Sequence, residues 1–302
     1  MANSWQQLSK EISEVIAQVG RSIVAVDARS GHTSSGIVWR SDFVLTAAHA
    51  IRAEVGIRVI SGPGQTVPAR LSGIDRGTDT AVLKLDAAVQ APPAQFGSAA
   101  ALAVGEFTVA VGRTRRGNIV ASSGIISGLM SEWRVARTLI DQFIRPDVEL
   151  YPGFSGGALV NSDGAVVGLN TSGLVRGKTI TIPSSTLIRV AEEIATKGHV
   201  TQPYIGIAMQ PVSIPESLQK KAGVSFKSGL LLMHVEAGGP ADNAGAILGD
   251  ILVEIGGRAF DEVEDLQDVL SRSGIGQDVQ ATLIRGGAKL QIAIRVGERP
   301  LR

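Results

Sequence analysis

The chain contains no cysteine. That excludes disulfide scaffolding, a thiolate nucleophile and a cysteine-based zinc site. It leaves the compartment open, because a thiol-free protein works in either redox environment. Aromatic residues are scarce, at 4% of 302 positions, so the cores must be aliphatic. No apolar run approaches the roughly 18–20 residues of a membrane-spanning helix, and no membrane span is expected. Charge of one sign is lacking too. A net charge of +1 with 19% charged residues gives no support for nucleic acid or a membrane surface as partner. The first twenty residues lack a secretory signal pattern. Trp5, Leu8, Ile12, Val15, Ile16 and Val19 repeat at helical spacing, with Lys10, Glu11 and Glu14 between them, which predicts an amphipathic surface helix. As written, the chain is expected in the cytoplasm. A mature or trimmed form would instead be periplasmic or otherwise extracytoplasmic.

Glycine, by contrast, is plentiful, at 36 residues. Much glycine with few aromatics suits a β-rich chain with many tight turns. Short apolar runs broken by Gly, Ser, Asp and Pro predict strands at 23–26, 36–39, 43–46, 57–60, 81–85, 107–111, 119–126, 158–160 and 166–170. That density argues for an antiparallel sandwich or barrel. A closing helix is predicted over 183–196, with Ser184 and Ser185 as capping residues. The segment 197–203 carries Gly198 and Pro203 without apolar periodicity and reads as a linker. Beyond it, strands are predicted at 204–209, 229–235, 251–255, 278–285 and 290–296, and helices at 240–244 and 263–271. The expected organisation is a helix at 1–20, a β domain at 21–197, a linker at 198–203 and a small α+β domain at 204–300.

Histidine is limited to four positions. A Ser-His-Asp hydrolase needs an imidazole with an apolar wall behind it and solvent in front. His32 sits in a polar loop, His199 in the linker and His234 in an apolar strand, and each reads as solvated or structural. His49 ends a strand that runs out through Ala47 and Ala48, which places its ring at a barrel rim. Ser155 stands between glycines in Gly153-Phe154-Ser155-Gly156-Gly157, with an apolar strand after it. Those glycines permit φ > 0 and close substrate approach. They also leave the N–H groups of Gly153 and Ser155 free to converge, as an oxyanion hole requires. Asp79 opens the strand at 81–85. A carboxylate buried there needs a donor, and a histidine Nδ1–H is one. Asp75 is the weaker competitor. A G-x-S-x-G string also occurs in α/β-hydrolases, but that fold places a helix after the serine and the histidine downstream of it.

The runs LTAAHA (45–50), DTAVLKL (79–85) and GFSGGALV (153–160), in this order, resemble the HtrA family of trypsin-like serine proteases with a C-terminal PDZ domain. The runs 121–129, 150–173 and 181–187 extend the resemblance. It implies a mainly β fold, with a trypsin-like double β-barrel protease domain followed by a small α+β PDZ domain. It implies Ser155 as nucleophile, His49 as base and Asp79 as the group orienting the base. The N–H groups of Gly153, Phe154 and Ser155 would form the oxyanion hole. Asn170, Thr171 and Ser172 would pair with substrate and wall the primary specificity pocket. No acidic residue stands out there, so a small-to-medium aliphatic P1 residue is expected. No cofactor and no metal is expected. Two positions depart from the family pattern, Phe154 where it has Asn and Ala158 where it has Pro. Phe154 opens a second reading, a latent or inactive pseudo-protease that binds polypeptides as a chaperone does. The basic cluster Arg113-Thr114-Arg115-Arg116 reads as a solvated turn, with a subunit contact or regulatory loop as its functional alternative.

The C-terminal segment, with Tyr204-Ile205-Gly206-Ile207 and the run 229–260, resembles a bacterial PDZ domain. Implied partners are unfolded or exposed polypeptide substrates at the protease, in protein quality control and stress response, and C-terminal peptides at the PDZ domain. The main chain of Ile205, Gly206 and Ile207 would catch the terminal carboxylate, and Leu266 and Leu270 would line the side-chain pocket. The family's trimers, built through N-terminal aromatics, imply a homotrimer, for which this N-terminus offers Trp5 but no aromatic cluster.

Overall fold

The computed structural model describes residues 3–28, 33–62, 65–135, 138–175, 178–259 and 263–300. It divides into two compact units, Met1–Val200 and Thr201–Arg302.

In the first unit, helix α1 (Ser4–Gly20) starts with a capping box. The Asn3 side chain accepts the Gln6 N–H at 2.8 Å, and the Gln6 side chain accepts the Asn3 N–H at 3.2 Å. Its apolar stripe then divides. Ile12, Val15, Ile16 and Val19 pack on the barrels, while Trp5 and Leu8 remain exposed. Strands β1 (Ile23–Asp27), β2 (Thr33–Arg40), β3 (Phe43–Ala47), β4 (Ile57–Gly62), β5 (Gln65–Asp75) and β6 (Thr80–Leu85) close a barrel in the order β1-β2-β3-β6-β5-β4. A second closed barrel follows. Strands β7 (Phe107–Arg113) and β8 (Ile119–Met130) lead to a hairpin of β9 (Trp133–Val135) and β10 (Thr138–Ile140). Strands β11 (Phe143–Pro146), β12 (Ala158–Val160), β13 (Val166–Thr171) and β14 (Ile180–Pro183) complete it, in the order β11-β14-β13-β12-β7-β8.

Each barrel has an aliphatic core of its own, but one cluster joins them. Ile23, Ile37, Leu45 and Val82 of the first barrel pack with Val109, Val111 and Leu169 of the second. Leu187, Val190 and Ile194 of helix α2 (Ser184–Lys197) complete that cluster. Burial of each such side chain is worth about 1.5–3 kcal/mol. The expected serine caps of α2 are absent. Pro183 occupies the cap position with no side-chain bond, and Ser184 Oγ instead donates to Gly97 O at 2.7 Å. The helix ends where the linker glycine predicts, with Gly198 at φ 81°.

The basic cluster is not a solvated turn throughout. Arg113 is 6% exposed, and its guanidinium donates to the carbonyl oxygens of Gly20, Ile23 and Gly117. Burial holds its ionisation below the ordinary arginine range. The Gly20 carbonyl is one of those that α1 cannot bond internally, so a cation there also meets the negative end of the helix. Arg115 approaches the buried Asp27 at 3.6 Å, while Arg116 is exposed.

In the second unit, β15 (Pro203–Tyr204) precedes β16 (Ile207–Ser213), α3 (Glu216–Ala222) and β17 (Ser228–Val235). Then come α4 (Pro240–Asn243), β18 (Ile251–Ile255), β19 (Arg258–Ala259) and α5 (Val263–Ser273). Strands β20 (Asp278–Arg285), β21 (Ala288–Arg295) and β22 (Gly297–Glu298) end the unit. The main sheet runs β16-β17-β18-β20-β21, so β16 is an edge strand. The single strand expected at 204–209 is split. Tyr204 pairs with Gly297, and the chain turns at Gly206, φ 79°, before β16 begins. Leu266 and Leu270 of α5 are buried in the core of this unit.

Candidate active site

Strand β3 ends at Ala47, and the chain turns through a short 3-10 segment, Ala48–Ala50, that carries His49. The other half of the site comes from the β5–β6 turn. There the buried Asp75 carboxylate accepts the Gly77 N–H at 3.3 Å, the Thr78 N–H at 3.0 Å and the Thr78 hydroxyl at 2.7 Å. This turn throws Asp79 into the left-handed region at φ 51°, the only non-glycine there among the described residues. Asp and Asn tolerate that conformation better than other side chains. Asp75 therefore builds the turn, and Asp79 faces the histidine.

The Asp79 carboxylate is 7% exposed, and every partner is a donor. Oδ1 accepts the His49 N–H at 2.7 Å, and Oδ2 lies 2.6 Å from His49 Nδ1. Oδ2 also accepts the Thr171 hydroxyl. An acceptor-only partner at Nδ1 fixes the neutral imidazole with its proton on Nδ1, leaving Nε2 as acceptor. Thr171 Oγ1 in turn accepts the Gly173 N–H at 2.9 Å. Gly173 lies against the pair. A Cβ there would sit 2.5 Å from His49 Nδ1 and 2.7 Å from Asp79 Oδ2.

Ser155 reaches the same cleft from the turn before β12. Its Oγ lies 3.2 Å from Ser172 Oγ, and among the described residues no hydrogen bond joins it to His49. Gly153, at φ 98°, precedes it. The N–H groups of Gly153 and Ser155 have no protein acceptor among the described residues. The Phe154 N–H does, donating to Tyr151 O at 3.0 Å, so of the three amides expected for an oxyanion site it is not available. The Phe154 ring is also turned away from the cleft. It is 2% exposed and packs with Ala110 and Val148, 5.9 Å from the Tyr151 ring.

The cleft measures about 460 Å³, and Ser34, His49, Arg52, Tyr151, Ser155 and Ser172 are among its lining residues. Among the described residues no carboxylate lines it. Tyr151 at its rim donates to Glu149 Oε2 at 2.7 Å, and that bond and the nearby negative charge raise the phenol's ionisation above its usual range. Of the strand predicted to wall the pocket, only Ser172 reaches the cleft. Asn170 and Thr171 are fully buried, Asn170 Oδ1 accepts the Thr181 hydroxyl, and Thr171 holds Asp79. The role of Thr171 and the closeness of Gly173 carry no signal in the sequence. Asp75 and Thr78, a short-range Asx-type pair, could have been read from their spacing.

Two of the other histidines stand elsewhere, His199 half-buried beyond α2 and His234 exposed on β17, whereas His32 lies outside the described residues.

In the second unit, Ile205 O accepts the Ala241 N–H and Gly206 O accepts the Glu236 N–H. The N–H groups of Ile205 and Gly206 have no acceptor among the described residues. Those amides stand beside the open edge of β16, with α5 against the same strand.

Residues 34–169 match the trypsin-like peptidase domain family, and residues 203–296 match the PDZ domain family. The chain is 31% identical over 280 residues to the serine protease Do-like HtrA of Lactobacillus helveticus, covering 87% of this chain and 68% of that protein. Among solved structures, the serine endoprotease from Yersinia pestis superposes with a TM-score of 0.72 at 27% identity, over 95% of this chain and 98% of the other. The HtrA-type protease AlgW with a tripeptide also gives a TM-score of 0.72, at 25% identity, over 96% and 98% of the two chains. Two closed six-stranded barrels with a cleft and a PDZ unit following them, shared along nearly the whole chain with these relatives, establish that the chain belongs to the HtrA family of trypsin-like serine endopeptidases with a C-terminal PDZ domain.

Proposed function

We propose that the chain cleaves peptide bonds of unfolded or exposed polypeptides at the 460 Å³ cleft, with Ser155 as nucleophile, His49 as base and Asp79 as the group that orients the base. The observation that carries this reading is the His49 Nδ1–Asp79 Oδ2 bond of 2.6 Å in a cleft that also holds Ser155. With Nδ1 so held, Nε2 takes the Ser155 proton as Oγ attacks the scissile carbonyl, then gives it to the leaving amine. For this transfer Oγ must exchange its contact with Ser172 for one with His49. The tetrahedral oxyanion is met by the N–H groups of Gly153 and Ser155, which have no protein acceptor to give up among the described residues. A lining with no carboxylate among the described residues supports a small-to-medium aliphatic P1 residue over Lys or Arg. A fluorophosphonate probe is expected to form one adduct, mapped to Ser155 by mass spectrometry, in protein that also degrades casein. No adduct and no turnover would remove the reading.

The protease segment in this reading is 21–197, after the 1–20 helix, and the peptide-binding segment is 204–300 after a linker at 198–203. There a C-terminal peptide adds as a strand at the β16 edge, its carboxylate on the free amides beside Gly206. A homotrimer belongs to the same reading, with the exposed Trp5 and Leu8 of α1 as the surface offered to other copies. Light scattering from a single species near 31.4 kDa would exclude it.

A further inference from the structure

Ser35 was not singled out by any motif, yet it touches the whole turn around Ser155. It is fully buried, on β2 of the first barrel. Its N–H donates to Ser155 O at 2.9 Å, and its O accepts the Thr46 hydroxyl at 2.6 Å. Its Oγ makes two further bonds whose directions are fixed by their partners. The Arg113 N–H can only donate, at 2.9 Å, and the Gly153 carbonyl can only accept, at 2.7 Å. The Ser35 proton therefore points at Gly153 O.

The Gly153–Phe154 peptide unit is thereby held at both polar ends, its C=O by Ser35 Oγ and its N–H by Tyr151 O. That unit lies between the two N–H groups assigned to the oxyanion. Its first residue is a glycine at φ 98°, with no Cβ to resist rotation. Turning the unit over would bring the Gly153 carbonyl toward the cleft, where an oxyanion would meet a lone pair. We propose that Ser35 is a positioning residue for the oxyanion site, its hydroxyl locking the Gly153–Phe154 peptide so that the flanking amides converge. Arg113 extends the hold. Its main-chain N–H fixes the Ser35 hydroxyl, while its guanidinium grips the end of α1 and the start of β1.

The proposal rests on Ser155 as nucleophile, so wild type, Ser155→Ala and Ser35→Ala are assayed together on a chromogenic peptide and with a fluorophosphonate. Losing one direct oxyanion donor costs on the order of 100- to 1,000-fold in kcat, so loss of an indirect support is expected to cost about 10- to 100-fold. KM should stay within about twofold. Affinity for a peptide boronate, whose tetrahedral adduct occupies the oxyanion site, should fall in step with kcat, while affinity for the cleaved peptide product should not change. A merely structural role would not produce that split. Should circular dichroism show Ser35→Ala unfolded, Ser35→Cys, which keeps a weak donor, is measured by the same readouts and is expected to lie between wild type and a tenfold loss in kcat. A folded Ser35 variant with wild-type kcat and boronate affinity, beside an inactive Ser155→Ala, overturns the role of Ser35 alone. Residual labelling and cleavage by Ser155→Ala overturns the underlying assignment, and the role of Ser35 with it.

Discussion

Asp79→Asn is expected to lower kcat by about 10,000-fold while KM and thermal stability change little. Asn tolerates the left-handed φ of 51°, so the backbone of the turn is kept. What changes is the donor–acceptor pattern. The carboxylate accepts from the His49 N–H, from His49 Nδ1–H and from the Thr171 hydroxyl. An amide has one acceptor oxygen and one donor nitrogen. If its nitrogen took the place of Oδ1, it would oppose the His49 main-chain N–H, donor against donor. The nitrogen therefore takes the place of Oδ2, where the Thr171 hydroxyl can turn to accept. There it donates to His49 Nδ1 and moves the ring proton to Nε2. An imidazole with Nε2 protonated cannot take the Ser155 proton. Steady-state kinetics on a peptide substrate, with a thermal melt alongside, check this. A kcat within tenfold of wild type would mean that Asp79 does not set the tautomer.

Gly173→Ala is expected to cost about 100-fold in kcat with Tm within a few degrees of wild type. The added Cβ would stand 2.5 Å from His49 Nδ1, 2.9 Å from His49 Cγ and 2.7 Å from Asp79 Oδ2. Real Cβ contacts are longer, so either the imidazole or the segment after β13 must move. A displacement of about 1 Å in a catalytic group is enough for a loss of this size. Stability should be nearly unchanged because Gly173 is exposed, and the clash is with the His49–Asp79 pair, whose imidazole is part-exposed, rather than with the apolar core. Fluorophosphonate labelling should slow by a similar factor. Wild-type kcat in this variant would show that the ring accommodates the methyl without leaving its working position.

The candidate site can be read from the sequence where local pattern and chemistry coincide. A strand running out through two alanines places His49 at a rim, and glycines around Ser155 leave amides free. The double barrel was legible because its strands are short and aliphatic. Other features follow from chain segments meeting at a distance, which periodicity does not record. β13 is buried along its whole length, against its own barrel on one side and α2 and β3 on the other. It therefore shows no alternation from which to tell that Asn170 and Thr171, on opposite faces of the strand, are both buried. Phe154 looked like an obstacle beside the serine, but the turn sends its ring into a pocket of Ala110 and Val148. Arg113 looked like surface charge, because nothing in a basic run announces that three carbonyls converge on one of its members. The strands expected from the sequence leave out β5, whose run carries Pro68 and Gly73; the ladder passes Gly73 through a register shift between Leu71 and Gly73.

The turn bearing Ser155 belongs to the second barrel, yet part of what holds it belongs to the first: Ser35 on β2 bonds it at Gly153 and Ser155, with His49 and Asp79 facing the serine from the ends of β3 and β6. Neither barrel contains a working half. A copy in which one barrel has come apart therefore loses its chemistry at once, whatever the other retains. For an enzyme whose proposed substrates are unfolded chains, this separates the two roles a single molecule could play. Each copy is then either an intact protease or a potential substrate, because the proposed site exists only while both barrels are folded.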